Sequence, residues 1–223
     1  MFKRLVQTLK NLSANRPSFN PERFNDPIAE KTEWIPLKRG GTNIKTHNLV
    51  MVDPNRYEFK PAVGAIIFYL FFFLIGLGLA GFMIYQIDFN YIGEIDAGII
   101  VAVIMGLIFL VVGFFLFRNG TKPIVFDKSN GFYWKGRQNP SQVYNQNVEK
   151  NMVQLYQVHA LQIIREYVRG NKSSYYSYEL NLILKDGSRK NVVDHGSIKQ
   201  LQKDAQTLGQ FLGIPVWDAG NFV

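Results

Sequence analysis

Cysteine is absent from the 223 residues, which excludes a disulfide framework, a cysteine-ligated zinc site, an iron–sulfur cluster and thiol catalysis. Histidine occurs only at His47, His159 and His195, far apart in sequence, and there is no G-x-S-x-G elbow, H-E-x-x-H pair or P-loop. Charge is missing locally as well. No Asp, Glu, Lys or Arg lies between Pro61 and Ile87, or between Ala97 and Phe117. An ordinary soluble protein does not carry two such runs.

A hydrocarbon core of roughly 30 Å needs about 20 apolar residues in a helix, and 62–85 and 97–117 both reach that length. They predict a transmembrane hairpin. Buried helices of a soluble protein would show polar residues every third or fourth position, and neither run does. The first run begins some sixty residues in, too late for a cleaved signal peptide. Neither run contains an ionisable side chain of the kind that proton relays use, which speaks against a transporter or pump.

The whole chain carries 25 Lys and Arg against 17 Asp and Glu. Basic residues dominate both flanks, whereas the connector between the runs holds only Asp88, Glu94 and Asp96. The positive-inside rule therefore predicts a multi-pass inner-membrane protein with both termini in the cytoplasm. Gly76 and Ala80, and likewise Gly98, Ala102 and Gly106, recur at one-turn spacing. Such small residues let helix backbones approach, either within the hairpin or between copies.

Residues 1–60 read as a cytoplasmic arm. Phe2, Leu5, Val6, Leu9 and Leu12 recur at helical spacing among Lys3, Arg4 and Lys10, describing a basic amphipathic helix that lies on an anionic leaflet or on the chain's own cytoplasmic part. Prolines and Asn or Asp break 15–27 into a linker. Next, 34–37 and 42–52 flank Lys38-Arg39-Gly40-Gly41, which predicts a β-hairpin. The same glycines could cradle an anion with backbone N–H groups, but no strand–loop–helix context surrounds them. Lys38, Arg39, Lys45, Arg56, Lys60 and Arg118 are candidate contacts to lipid head groups.

Residues 118–223 are enough for one further domain. Short runs at 123–128 and 132–135 around Asn130-Gly131, then 160–168, 175–184 and 188–193, predict an antiparallel meander. A helix follows from a Ser197 cap through Ile198, Leu201, Ala205, Leu208, Phe211 and Leu212 to Gly213. The expected fold class is thus α+β: a transmembrane hairpin plus a cytoplasmic β sandwich or barrel closed by one C-terminal helix. Asp194-His195 reads as a structural turn rather than a catalytic pair, with Asp194 placed to cap that helix. Trp217, in the apolar ending Ile214 to Asp218, packs on the domain or serves as a docking peptide.

That element order resembles the bacterial pleckstrin-homology-like domain. The stretches SYELNLILKDGSRKNVVDHG and FLGIPVWD are similar to uncharacterised bacterial inner-membrane proteins with a two-helix hairpin. The resemblance implies a membrane-tethered module that binds lipid or protein, without catalytic residues or cofactor. The expected function is a non-catalytic scaffold, an accessory subunit of an inner-membrane or envelope complex. Its expected partners are membrane lipids and a protein or second copy, not nucleic acid. An anionic-lipid sensor and an immunity protein against a membrane-active toxin are the alternatives.

Overall fold

The computed structural model describes residues 19–87, 96–137, 140, 152–170 and 173–219. The predicted amphipathic helix with Lys3, Arg4 and Lys10, and the connector at 88–95, lie outside the described residues. The chain is α+β with antiparallel pairing, and it divides into two compact units, Ile44–Leu155 and Met1–Asn43 with Tyr156–Val223.

In the first unit, β1 (His47–Asp53) and β2 (Arg56–Pro61) form a hairpin about Pro54-Asn55. Immediately after it comes α2 (Val63–Tyr85), with α3 (Ala97–Gly120) antiparallel in register beside it, then β3 (Ile124–Asp127), β4 (Phe132–Lys135) and β5 (Met152–Gln154). The five strands form one sheet in the order β1-β2-β3-β4-β5. Since β2 pairs with β3, from Arg56↔Asp127 to Phe59↔Ile124, both long helices sit inside what is topologically a single strand connection. The core of this sheet is Phe59, Ile124, Val125, Phe126 and Tyr133. At the β3–β4 turn the Asp127 carboxylate accepts from the Asn130 N–H at 2.9 Å and from its side-chain amide at 2.8 Å, and Gly131 supplies the positive φ of 72°.

Both α2 and α3 are long and apolar enough to cross a membrane, and their outward apolar side chains, such as Phe71, Leu74, Val101 and Phe115, are exposed. Where they touch, the contact is made by glycine and alanine. A Cβ on Gly76 would stand 2.7 Å from the Gly106 carbonyl oxygen, and one on Gly106 would stand 2.9 Å from the Ala80 Cβ. Gly113 abuts the Phe73 backbone in the same way, and Gly120 abuts the Tyr69 ring. Within the hairpin Gly98 does not meet α2: a Cβ on it would face the Asp96 carboxylate, which caps α3 by accepting the Gly98 N–H at 2.7 Å. Ala102 is half-buried.

The second unit holds β6 (Val158–Arg169), β7 (Ser174–Leu184), β8 (Arg189–His195), α4 (Ile198–Leu212) and β9 (Val216–Asp218). Its sheet runs β8-β7-β6-β9. The first three strands are antiparallel, as the meander predicts, whereas β9 joins β6 in parallel, with Leu161↔Val216. Amphipathic α4 packs on this sheet through Leu201, Ala205 and Leu208, with Ser197 as its N-cap and Gly213 left-handed at φ 71° after its last turn.

The N-terminal arm packs onto the same sheet. After a 3-10 turn at Pro21–Phe24, α1 (Pro27–Lys31) places Ala29 against Ala160, Ile183 and Trp217, with Phe24, Ile28 and Trp34 around them. Trp217 packs on the domain and is not an exposed docking peptide: only 2% exposed, it lies against Phe24, Trp34 and His159 because a ring this large gains most by burial among other rings. Residues 34–46 form no hairpin, because their backbone N–H groups go to side-chain carboxylates rather than to a partner strand. The strands of 118–223 divide between two sheets, β3, β4 and β5 joining β1 and β2 in one and β6 to β9 making the other.

Candidate functional site

Along β6 and β7 the pairs Gln162↔Asn181, Ile164↔Glu179 and Glu166↔Ser177 fall at every second position, so Gln162, Ile164, Glu166, Ser177, Glu179 and Asn181 share one face. Of these, Gln162, Ser177, Glu179 and Asn181 are buried, and the arm's residues 33–41 cover them. Buried polar groups demand partners. Gln162 donates to the Glu33 carbonyl at 3.0 Å, and Asn181 donates to the Glu179 carboxylate at 2.5 Å. Glu179 further accepts the N–H groups of Leu37 and Lys38, at 2.9 to 3.0 Å. Two residues further along the face, Glu166 accepts those of Gly40 at 2.9 Å and Gly41 at 3.0 Å. The Tyr175 hydroxyl donates to the Gly41 carbonyl at 2.8 Å.

The Lys38–Gly41 loop is therefore an anion cradle, as its glycines suggest, but the anions are the chain's own Glu166 and Glu179. Successive peptide dipoles supply the compensation that a cation would otherwise give. Glycine is required at position 41, where a Cβ would run into the Ser177 side chain. The side chains of Lys38 and Arg39, freed from that bonding, point away and are exposed.

Beyond its last β8 pair, Tyr178↔His195, the β6–β7 ribbon continues for four more pairs to Arg169↔Ser174. On the ribbon face opposite Glu166, the Arg165 guanidinium lies 3.6 Å from the Tyr176 ring centroid, and Tyr176 lies 5.1 Å from Tyr167. Sequence reasoning missed both this projecting ribbon and the bonding of Glu166 and buried Glu179 to the arm. A clue was available, in that 160–169 and 174–184 are far longer than the strand that follows them.

In the other unit, Lys45, Lys60 and Arg118 are exposed, but Arg56 is engaged: it pairs with Glu58 at 2.6 Å, approaches Asp127 at 3.9 Å and lies over the Trp134 ring. Its charge is therefore compensated within the sheet, unlike that expected of a head-group contact. Edge strand β1 leaves Val50, Met51 and Val52 37%, 59% and 46% exposed. Burial pushes the Tyr133 phenol far above its ordinary value.

His195 is buried, and its Nδ1 accepts the Ser197 N–H at 2.9 Å. Asp194 accepts from Asn191 at 3.0 Å, so the helix is capped by Ser197 rather than by Asp194. His159 bonds Asp26, the N-cap of α1, at 2.6 Å. Among the described residues no three His, Asp or Glu side chains gather to hold a metal ion. No protein-family model matches the chain, and no curated protein or solved structure matches it either.

Proposed function

We propose that this protein is a non-catalytic binding subunit anchored in the bacterial inner membrane by α2 and α3, with both termini cytoplasmic. Exposed Lys60 just before α2 and exposed Arg118 in the last turn of α3 support that orientation. The sequence resemblance to pleckstrin-homology-like modules supports recognition rather than catalysis.

The observation that carries the reading is the open β1 edge. Among the described residues β1 pairs on one side only, with β2, and a strand so placed with three successive exposed apolar side chains is a template for an added strand. Its occupant is an extended segment of a protein partner, which β1 would take up as a sixth strand of the five-stranded sheet. The test is purification of the tagged full-length chain from native membranes in mild detergent, beside Met51→Lys, with mass spectrometry of what co-elutes. A lysine on an edge strand blocks strand addition, so the variant should lose a partner that the parent retains in stoichiometric amount. Turnover of a lipid or small molecule by the purified chain, abolished by one substitution that leaves it folded, would overturn the non-catalytic reading.

A further inference from the structure

We infer that the projecting end of the β6–β7 ribbon is a contact for an anionic bilayer surface, with Tyr167 and Tyr176 at the interface and Arg165, Arg169, Lys38 and Arg39 facing lipid phosphates. Three observations converge on it. Four residues per strand run past the last β8 pair, and at about 3.3 Å each they extend roughly 13 Å beyond it. The projection is aromatic and basic: Tyr167 is 57% and Tyr176 39% exposed, Arg165 stacks on Tyr176, and Arg169 is exposed. Tyrosine beside arginine suits the boundary between head groups and water, where a ring needs one apolar and one wet side.

The arm supplies the third observation. Glu166 and Glu179 would cancel much of this charge, yet their oxygens are taken by the backbone N–H groups of Leu37, Lys38, Gly40 and Gly41. That bonding braces the loop and leaves the Lys38 and Arg39 side chains outside, exposed and with no ion pair among the described residues. The loop thus satisfies two inward carboxylates with its backbone while its own two cations stay exposed. A ribbon bearing two cations and two rings, with two further cations on the arm loop against its other face, complements a phosphate-bearing surface at its end, and the chain's own apolar helices tether it to one.

This inference rests on the membrane reading of α2 and α3, and its test separates the two. With no native cysteine, Ser173→Cys at the ribbon turn gives a single labelling site, and Ser188→Cys beside the Asp186-Gly187 turn gives a control on the same unit. The full chain, labelled with an environment-sensitive fluorophore, is reconstituted into nanodiscs of phosphatidylcholine alone or with phosphatidylglycerol. The Ser173 label should be shielded from an aqueous quencher only in the anionic discs, should lose that shielding in high salt, and the Ser188 label should be quenched in both.

Lys38→Gln, Arg39→Gln and Arg169→Gln keep the backbone donors and should weaken the contact roughly fivefold per charge removed. Equal quenching of the Ser173 label in both kinds of disc, or shielding that ignores lipid charge, overturns the inference while leaving insertion intact. Failure of the chain to enter discs at all overturns both.

Discussion

Both oxygens of the Glu179 carboxylate accept the backbone N–H of Leu37, at 2.9 and 3.0 Å, across 142 residues of sequence. A buried anion on the long hairpin is thereby satisfied by the peptide backbone of the N-terminal arm. Glu179→Gln keeps the shape but replaces one acceptor oxygen by a donor facing N–H groups. It should cost about 1–3 kcal/mol, read as a lower unfolding midpoint in detergent with faster amide exchange at Leu37 and Lys38.

Gly41 and Ser177 form a size-matched pair. Gly41→Ala puts a methyl group against the serine side chain, whose Cβ would lie 2.7 Å away, and should destabilise the chain by about 1–3 kcal/mol. Ser177→Gly added to it removes the obstruction, so the double variant should recover much of that loss. A thermal-unfolding cycle of the four proteins measures the coupling.

Acid should loosen the arm at Asp26. Burial raises its carboxyl group, but the hydrogen bond from His159 and the Ile28 and Ala29 N–H groups outweigh this and hold it below the ordinary 3.8. A depressed carboxyl contributes stability that is present above its unfolded value and lost as pH falls through the folded one. The unfolding midpoint of the parent should therefore drop as pH falls below about 4, and that component should be missing in Asp26→Asn. Asp26→Ala loses the cap of α1 too and should cost about 1 kcal/mol more.

The helix contact separates glycines that face a neighbour from those that do not. Gly113→Leu drives a side chain into the Phe73 backbone, whose Cα would lie 2.7 Å from the new Cβ, and should split the helix pair. Gly78 and Gly81 have nothing within 4 Å of an added Cβ, so Gly78→Ala and Gly81→Ala should be tolerated. Thermal stability of the purified full chain in detergent distinguishes the two classes.

Local pattern is legible in this sequence because local physics writes it. Length and hydropathy alone mark α2 and α3 as long apolar helices, the Asn130-Gly131 turn and the Ser197 and Gly213 ends follow from backbone chemistry, and period-3.6 spacing marks the buried face of α4. Glycine at 76 and 106 announces close helix approach by its size, although the seven-residue step from Gly106 to Gly113 was the better guide.

What only the tertiary structure decided depends on pairs remote in sequence. Strand β2 closes with β3 across both long helices, so β3 to β5 share a sheet with β1 and β2 rather than with β6 to β9. Trp217 is buried because the arm brings Phe24 and Trp34 to it. Lys38 to Gly41 announce a backbone shaped for an anion, but composition cannot say which anion arrives. The arrival of Glu166 and Glu179 is set by the register of β6 with β7, since a one-residue slip would turn both carboxylates to the opposite face.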